Sequence, residues 1–310
     1  MKPKIGIVGA GNVGASVAHI SLMRNLGDIY LLDLYADLAK GKAIDLNQSK
    51  FLLGSDCAVE GGGDYAKIAG CDYVVVTAGL ARKPGMSRDD LLFANFDIIK
   101  GVANELKKSK KNPIVIVVSN PLDVMAYTMQ KVTGFPKERV IGMAGVLDTY
   151  RFLHFIQGAT GAAADNMQSM ILGSHGDTMV PLLSHTFVNG EALDAIMPAA
   201  DAAALADKAA NGGAEIVALL KTGSAYYAPA ASVVKMLESI IQDKKTVIPC
   251  SVSADGNYGI NGIYVGLPAV LGKNGVEKIA QLKISAAETE KLKKSASAIK
   301  EQIDKIESRF

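Results

Sequence analysis

The chain has 310 residues, of which 49% are apolar and 21% charged, and its formal net charge is +2. This is the composition of a soluble globular protein, and the length exceeds that of one typical core, so we expect two closely packed domains. The balance of 33 Lys+Arg against 31 Asp+Glu does not favour nucleic acid or an anionic membrane surface as a partner.

The first half alternates short apolar runs with helical patterns. Strands are predicted at residues 5–8, 29–32, 74–76, 114–118 and 140–141, and helices at 13–26, 38–48, 91–106 and 121–132. Strands that alternate with helices, and that are apolar throughout, are typical of a parallel sheet covered on both faces. We therefore predict an α/β fold whose first domain, residues 1–144, is a doubly wound parallel sheet.

The pattern changes near residue 145, and we expect a second, α+β domain over residues 145–310. Helices are predicted at 146–157, 199–220 and 224–240, and strands at 167–172, 179–188, 247–252 and 260–265. A capping box, Ser285 with Glu288, predicts the start of a final helix. The apolar stripe of that helix is Leu292, Ile299, Ile303 and Ile306.

The spacing of the cysteines and the N-terminal sequence indicate the cellular compartment. Cys57, Cys71 and Cys250 are odd in number and have no C-x-x-C spacing, which indicates neither a disulfide framework nor a zinc site. They fit buried thiols in a reducing cytoplasm. Glycines interrupt the apolar segment after the basic N-terminus, so we expect no signal peptide and no membrane span.

A glycine-rich loop follows the first predicted strand and opens the first helix. Its six residues, Gly9, Ala10, Gly11, Asn12, Val13 and Gly14, match the G-x-G-x-x-G pattern of Rossmann domains, which bind dinucleotides. Gly9 would make the tight turn, Gly11 would let the backbone approach a pyrophosphate, and Gly14 would let helix pack on strand. The helix N-terminus would then present free N–H groups to the phosphates.

Asp33 lies 19 residues beyond Gly14 (33 − 14), at the end of the second predicted strand. A carboxylate there can accept both ribose hydroxyls of NAD and would repel the 2′-phosphate of NADP. The alternative is an ordinary turn former at a strand end. With the glycines at the right distance, we predict that NAD is the cofactor.

The segment from Ala81 to Leu92 is glycine-flanked and charged, and it places Arg82 and Arg88 around a Pro-Gly turn. Such a loop is typical of an active-site lid. Two guanidinium groups on a closing lid suit a small dianion, because Arg pairs carboxylates bidentately. The alternative is a solvated basic turn.

His175 is the candidate reacting group, because glycines on both sides give substrate and backbone close access. Asp148 and Arg151 share one face of a predicted helix. They could form a simple surface ion pair, or Asp148 could orient the imidazole while Arg151 clamps a carboxylate. Asn120 follows the predicted strand at residues 114–118, at the edge where doubly wound sheets bind ligands, although an Asn-Pro turn would explain it equally.

Five segments, in this order, resemble the malate/lactate dehydrogenase family over nearly the whole chain. They are GAGNVG, ARKPGMSRDDLL, VSNPLD, GVLDTYRF and GSHGDTMVP. The similarity is closest to the lactate-dehydrogenase-like group of malate dehydrogenases. The resemblance implies a homo-oligomer, with a tetramer favoured over a dimer.

The resemblance also implies roles for the reacting residues. His175 would donate and accept the proton, with Asp148 as its partner. Arg151 would bind the carboxylate beside the reacting carbon, and Arg88 would polarise the carbonyl. Arg82, where lactate dehydrogenases typically carry a neutral residue, would bind the second carboxylate of malate or oxaloacetate.

Further positions are implied by the same resemblance. Asn120 would contact substrate and cofactor, Val118 and Ser119 would belong to the cofactor site, and Asn95 would lie beside the cofactor. Ser224 would line the substrate pocket, and the peptide between residues 120 and 121 is expected to be cis. No metal is implied.

The expected activity is therefore reversible, NAD-dependent oxidation of a small dicarboxylate, (S)-malate, to oxaloacetate through a His-Asp proton relay. The alternatives are a lactate dehydrogenase, an NAD-dependent glycosidase and a non-catalytic NAD-binding module. Arg82 argues against the first, the lack of a metal-ligand cluster against the second, and the intact set of reacting residues against the third.

Overall fold

A computed structural model of the protein describes residues 2–80 and 85–310. Four residues of the predicted lid, Arg82 among them, lie outside the described residues. The strands are β1 (Lys4–Val8), β2 (Asp28–Leu32), β3 (Val59–Gly62), β4 (Tyr73–Val76), β5 (Ile114–Val117), β6 (Val140–Gly142), β7 (Met167–Gln168), β8 (Ile171–Gly173), β9 (Met179–Pro181), β10 (Phe187–Val188), β11 (Glu191–Ala192), β12 (Thr246–Asp255), β13 (Asn261–Gly272) and β14 (Gly275–Ile279). The helices are α1 (Asn12–Met23), α2 (Ala36–Ser49), α3 (Tyr65–Ala69), α4 (Arg88–Leu106), α5 (Leu122–Thr133), α6 (Gly145–Thr160), α7 (Leu193–Ile196), α8 (Ala199–Leu220), α9 (Tyr227–Ile241) and α10 (Ala286–Ile306).

The first six strands form a parallel sheet in the order β3-β2-β1-β4-β5-β6. The order reverses between β1 and β4, which is the switch point of a doubly wound sheet. Strands β4 and β5 are buried almost throughout, because helices cover both faces of the sheet. The predicted Rossmann architecture is confirmed.

The sheet continues into the second half of the chain with antiparallel strands. Gly142 of β6 pairs with Ser251 of β12, and β13, β8 and β9 follow. Strands β7, β10 and β11 form a separate small sheet. Helices α6, α8, α9 and α10 complete the α/β second half, as predicted in outline.

Several local predictions were incomplete. The edge strand β3 was missed because its sequence, VEGG, has one apolar residue. A Cβ at Gly61 would lie 2.2 Å from the carbonyl oxygen of Ala39, so this glycine is required by close packing of α2. The short helix α3 and strand β14 also lacked a periodic apolar pattern.

Four predicted elements have different limits. The segment 167–172 is divided between β7 and β8, and 179–188 between β9 and β10. Strand β13 runs further than predicted, with Pro268 opposite Pro249 of β12. Helix α9 begins at Tyr227 rather than at residue 224, because Tyr226, its N-cap, has a non-helical φ of −138°.

Two apolar clusters hold the molecule together, a large one around the main sheet and a smaller one between α6 and α8. The stripe predicted on the final helix, Leu292, Ile299, Ile303 and Ile306, is buried in the larger cluster. Over the described ranges, no helix combines the length and the apolar character needed to cross a membrane.

Candidate active site

A cleft of about 670 Å³ lies at the carboxyl ends of the parallel strands, between the two halves of the chain. Its lining includes Val13, Val118, Asn120, Arg151, His175 and Ser224. The fold thus brings residues from the glycine loop, the β5 end, α6 and the segment before α9 to one place.

The glycine loop has the geometry that a pyrophosphate requires. Gly9 has a φ of 109°, and a Cβ at Gly14 would lie 1.9 Å from the Gly9 carbonyl oxygen. A Cβ at Gly11 would meet no described atom within 4 Å, so this position is open to a ligand. Asn12 begins α1, whose first N–H groups are available to an anion.

Asp33 is held against the same loop. Its carboxylate accepts hydrogen bonds from the backbone N–H of Ala10 at 2.7 Å and of Tyr35 at 3.0 Å. Lys42 donates to the Ala10 carbonyl oxygen at 2.7 Å. These contacts fix the carboxylate at the end of β2, where a ribose would lie in this fold, so the residues present fit NAD.

His175, which lines the cleft, forms a pair with the buried Asp148. The imidazole Nδ1 lies 2.8 Å from Asp148 Oδ2. Burial lowers the pKa of His175, but the charge of Asp148 and its hydrogen bond outweigh that effect, so the pKa is raised above its ordinary value of 6.5. Arg151 opposes this rise, and Asp123 adds to it.

Arg151 lies next to the same carboxylate, with Nη1 3.8 Å from Asp148 Oδ1. The two side chains are only 15% and 4% exposed, so the alternative of a surface ion pair is wrong. Burial lowers the pKa of the Arg151 guanidinium, and Asp148 opposes that shift. A guanidinium stays charged even in such a site, which leaves a cation facing the cleft.

The end of β5 is tied to the loop after β4. Ser119 donates a hydrogen bond to the Ala78 carbonyl oxygen at 2.5 Å. The amide of Asn95 accepts from the backbone N–H of Leu80 at 2.7 Å and donates to the Asn120 carbonyl oxygen at 2.6 Å. Asn95 is fully buried, so the structure places it one layer behind the cleft, where it holds both loops; its contact with the cofactor stays a prediction.

The described part of the lid leads directly into α4. Ser87 caps the helix, with Asp90 completing a capping box, and Arg88 is the first helical residue. The Arg88 guanidinium forms an ion pair with Asp177, which follows His175 in the chain. Arg88 therefore lies against the loop that carries His175, but in this structure it points to Asp177.

Sequence reasoning missed several residues of the site. Asp177 stands in the GSHGD segment and Asp123 in SNPLD, and neither received a role. Gly213 and Val217 of α8 also line the cleft. A Cβ at Gly213 would lie 3.6 Å from the Arg151 guanidinium, but a helix pattern does not show which residues will face a distant loop.

Comparison with known proteins identifies the family. The NAD-binding domain of lactate/malate dehydrogenases matches residues 3–142, and the α/β C-terminal domain of the same family matches residues 145–309. The chain belongs to the lactate/malate dehydrogenase family. It is therefore an NAD-dependent oxidoreductase, and NAD is its cofactor, as predicted.

Individual relatives in this family are similar over their whole length. The chain is 47% identical to malate dehydrogenase 1 of Anaeromyxobacter dehalogenans over 304 residues, which is 97% of each protein. It is 48% identical to malate dehydrogenase of Rhodopirellula baltica over 308 residues, 99% of this chain and 98% of that protein.

Solved structures of the family include both substrate types. Malate dehydrogenase of Cryptosporidium parvum superimposes with a TM-score of 0.96 at 38% identity, covering 99% of this chain and 100% of that one. Lactate dehydrogenase of the same organism, solved with lactic acid and NAD, gives a TM-score of 0.95 at 38% identity, covering 99% and 98%. Overall shape therefore does not decide between the two substrates.

Proposed function

We propose that this protein catalyses the reversible oxidation of (S)-malate to oxaloacetate. The observation that carries the proposal is the buried group of His175, Asp148 and Arg151 beside the glycine loop. The arginine at position 82 of the lid supports malate rather than lactate as the substrate. The relatives described above, which are malate dehydrogenases, support the same choice.

The imidazole of His175 moves the proton. Its Nδ1 is engaged by Asp148, which leaves Nε2 to face the substrate hydroxyl. For malate oxidation the ring enters neutral and takes the hydroxyl proton. For oxaloacetate reduction it enters protonated and returns that proton to the carbonyl oxygen. NAD held by the glycine loop and Asp33 would supply the acceptor for the hydride from C2 of malate.

The arginines bind and polarise the substrate. Arg151 is placed to clamp the carboxylate next to the reacting carbon with two parallel hydrogen bonds. Arg88 would leave Asp177 as the lid closes and stabilise the charge that develops on the carbonyl oxygen. Asn120, Ser224 and the β5 end complete the walls of the cleft.

Arg82 would select the dicarboxylate. A guanidinium about 4 Å from a carboxylate gains roughly 4 kcal/mol at an effective dielectric constant near 20. Pyruvate carries a methyl group at that end, so it would leave the guanidinium unpaired in a closed site. A difference of that size corresponds to about a thousandfold in rate.

Initial rates of NADH oxidation with oxaloacetate, and separately with pyruvate, test the proposal. Strong preference for oxaloacetate is expected. Preference for pyruvate would favour the lactate dehydrogenase alternative while retaining the histidine chemistry. NADH binding without turnover of either acid would favour a non-catalytic module.

We also propose that the protein is a homo-oligomer, with a tetramer favoured, and that it is cytoplasmic. Large apolar side chains are exposed along α2 and the turn after it, with Phe51 at 82% and Leu52 at 91% exposure. An apolar groove of about 860 Å³ lies between α6, α8 and α9 of the same chain. Exposed apolar surfaces of this kind mark protein interfaces, and the three buried free thiols suit a reducing compartment.

A further inference from the structure

A second buried carboxylate lies beneath the loop that carries His175. Asp123, in the first turn of α5, is 3% exposed. Its Oδ2 accepts a hydrogen bond from the backbone N–H of His175 at 3.1 Å and another from the Ser174 hydroxyl at 3.1 Å. Asp148 thus holds the imidazole ring, and Asp123 holds the backbone from which that ring extends.

The loop is anchored on its other side by α10. The backbone N–H of Ser174 donates to the Ser295 hydroxyl at 2.8 Å. A Cβ at Gly173 would lie 2.7 Å from the same hydroxyl oxygen, so the loop packs closely on the helix. Without Asp123, the peptide of His175 would lose its anchor on the α5 side.

Asp123 also connects the two walls of the cleft. It lies three residues after Asn120, whose segment closes the cofactor side of the cleft and is held there by Asn95. The first turn of α5 therefore links the end of β5 to the proton-transferring loop of the second half of the chain.

Burying the Asp123 carboxyl costs free energy, so packing alone does not explain why an aspartate occupies this position. Burial raises the pKa of the Asp123 carboxyl, while the nearby Ser251 hydroxyl and the N–H, charge and hydroxyl of the 174–175 segment lower it. Among the described atoms, neither Asp123 Oδ1 nor Ser251 Oγ has a hydrogen-bond partner. An apolar residue would avoid this desolvation, but it could not accept the two loop hydrogen bonds.

We propose that Asp123 is a positioning residue for proton transfer, which sets the approach of the His175 ring to the substrate by accepting the two loop hydrogen bonds at one oxygen. The inference rests on the proposed function of His175. The positioning of His175 is assigned to Oδ2 of Asp123, the oxygen that accepts both hydrogen bonds. Asparagine can present a carbonyl oxygen at the same place, whereas alanine leaves both donors unsatisfied.

The test compares Asp123→Ala, Asp123→Asn and a control, Thr128→Val. Thr128 is also buried on α5, and among the described residues its hydroxyl bonds within the helix alone, to the Val124 carbonyl oxygen at 2.8 Å. Single-turnover oxidation of NADH by oxaloacetate, with enzyme in excess, separates two effects. A smaller folded fraction leaves the rate constant unchanged while folded enzyme exceeds NADH, and titration with NADH counts the folded sites, whereas a misplaced imidazole lowers the rate constant.

For Asp123→Ala we expect the rate constant to fall by up to about 100-fold, the loss typical of a displacement near 1 Å. Asp123→Asn should recover most of it, and Thr128→Val should keep the wild-type rate constant. NADH affinity, measured by its fluorescence, should be unchanged in all three. If the Asp123→Ala protein does not fold, Asp123→Ser is tested instead, because the short serine side chain cannot reach both donors.

Three results would overturn the inference. They are a wild-type rate constant in Asp123→Ala, a loss of NADH-binding sites without a lower rate constant, and an Asp123→Asn variant as slow as the alanine variant. Wild-type turnover is measured first, with oxaloacetate and then with pyruvate, and the better substrate is used for the series. Failure of both acids would count against the proposed function itself, whereas normal wild-type turnover isolates the role of Asp123.

Discussion

At the scale of single residues, the site depends on a few charges removed from water. Asp148 lies between His175 and Arg151, at 2.8 Å from the first and 3.8 Å from the second. One carboxylate thus contacts both the imidazole and the guanidinium. Because all three side chains are largely buried, water screens these interactions little.

The pH dependence of oxaloacetate reduction follows from this pair. Reduction needs the protonated ring, so kcat/KM should fall as pH rises through a pKa above 6.5. Replacing Asp148 by Asn removes the largest effect that raises this pKa, and burial then prevails. In Asp148→Asn, the falling limb of kcat/KM against pH should move to lower pH, and activity should be lower throughout.

Rate profiles of the wild type and Asp148→Asn from pH 5 to 9 measure the shift, with His185→Gln as a control outside the cleft. A limb that stays in place in Asp148→Asn would contradict the assignment of His175 as the acid.

Substrate choice is predicted to depend on Arg82. Arg82→Gln removes the partner of the second carboxylate, so oxaloacetate turnover should fall by about a thousandfold if the full pairing energy is lost. Pyruvate turnover should be retained or increased. The ratio of kcat/KM for the two acids is the measurement, and an unchanged ratio would remove Arg82 from substrate selection.

Gly14 is required by close approach of helix and loop. The added methyl group of Gly14→Ala would lie 1.9 Å from the Gly9 carbonyl oxygen, so the loop must move. Overpacking of this kind costs about 1–3 kcal/mol, and we expect NADH binding to weaken accordingly. Titration of NADH fluorescence measures it, and Gly101→Ala on α4, where the methyl group meets no described atom, should bind normally.

At the scale of elements, the ends of helices decide where the functional loops lie. Helix α4 starts at a capping box immediately before Arg88, and α5 starts at the cis peptide between Asn120 and Pro121. Helix α10 also begins with a capping box and supports the loop that carries His175 through Ser295. The local contacts at these helix ends therefore help to position residues that are distant in the sequence.

The cap of α10 is tied to the rest of the fold through Glu288. This carboxylate accepts from the backbone N–H of Ser285 and from the hydroxyl of Ser184. Burial raises its pKa, but these hydrogen bonds outweigh that effect, so its pKa lies below the ordinary value of 4.5. Its contribution to stability is therefore present above pH 4.5 and is lost as pH falls through the lowered pKa.

Ser285→Ala should lower the free energy of unfolding by about 1 kcal/mol, because the helix loses its N-cap. Urea unfolding at pH 7 measures the change. Ser297→Ala, an exposed change on the same helix, is the matched control and should be close to neutral. Equal stability of the two variants would show that the cap contributes nothing.

At the scale of the whole molecule, large apolar side chains are exposed after α2, and an apolar groove lies between α6, α8 and α9. Helix α6, which forms one side of this groove, also carries Asp148 and Arg151. Association through this groove would therefore place a partner directly behind the reacting residues.

We expect Phe51→Glu combined with Leu52→Glu to reduce the oligomer to smaller species. Two carboxylates in an apolar interface would be costly to bury. Sedimentation velocity measures the mass, and Lys110→Glu, an exposed change elsewhere, should leave it unaltered. A double variant of wild-type mass would contradict the role of this surface.

The sequence alone determined the features that depend on local patterns. Apolar runs and the glycine spacing determined the parallel sheet, its cofactor loop and Asp33, because each is encoded within a few consecutive residues. Ser285 and Glu288 determined the start of α10 in the same way. The segment around His175 was recognisable because glycines flank it.

Only the tertiary structure decided which side chains meet. It brought His175 to Asp148, buried the pair, placed Asn95 behind the cleft, and set Asp123 beneath the loop, since these contacts join residues 25 to 52 positions apart. It also showed β3, whose strand character comes from pairing with β2 rather than from its own residues. The physical reason is that burial and pairing depend on the neighbours supplied by the whole fold, which no local pattern encodes.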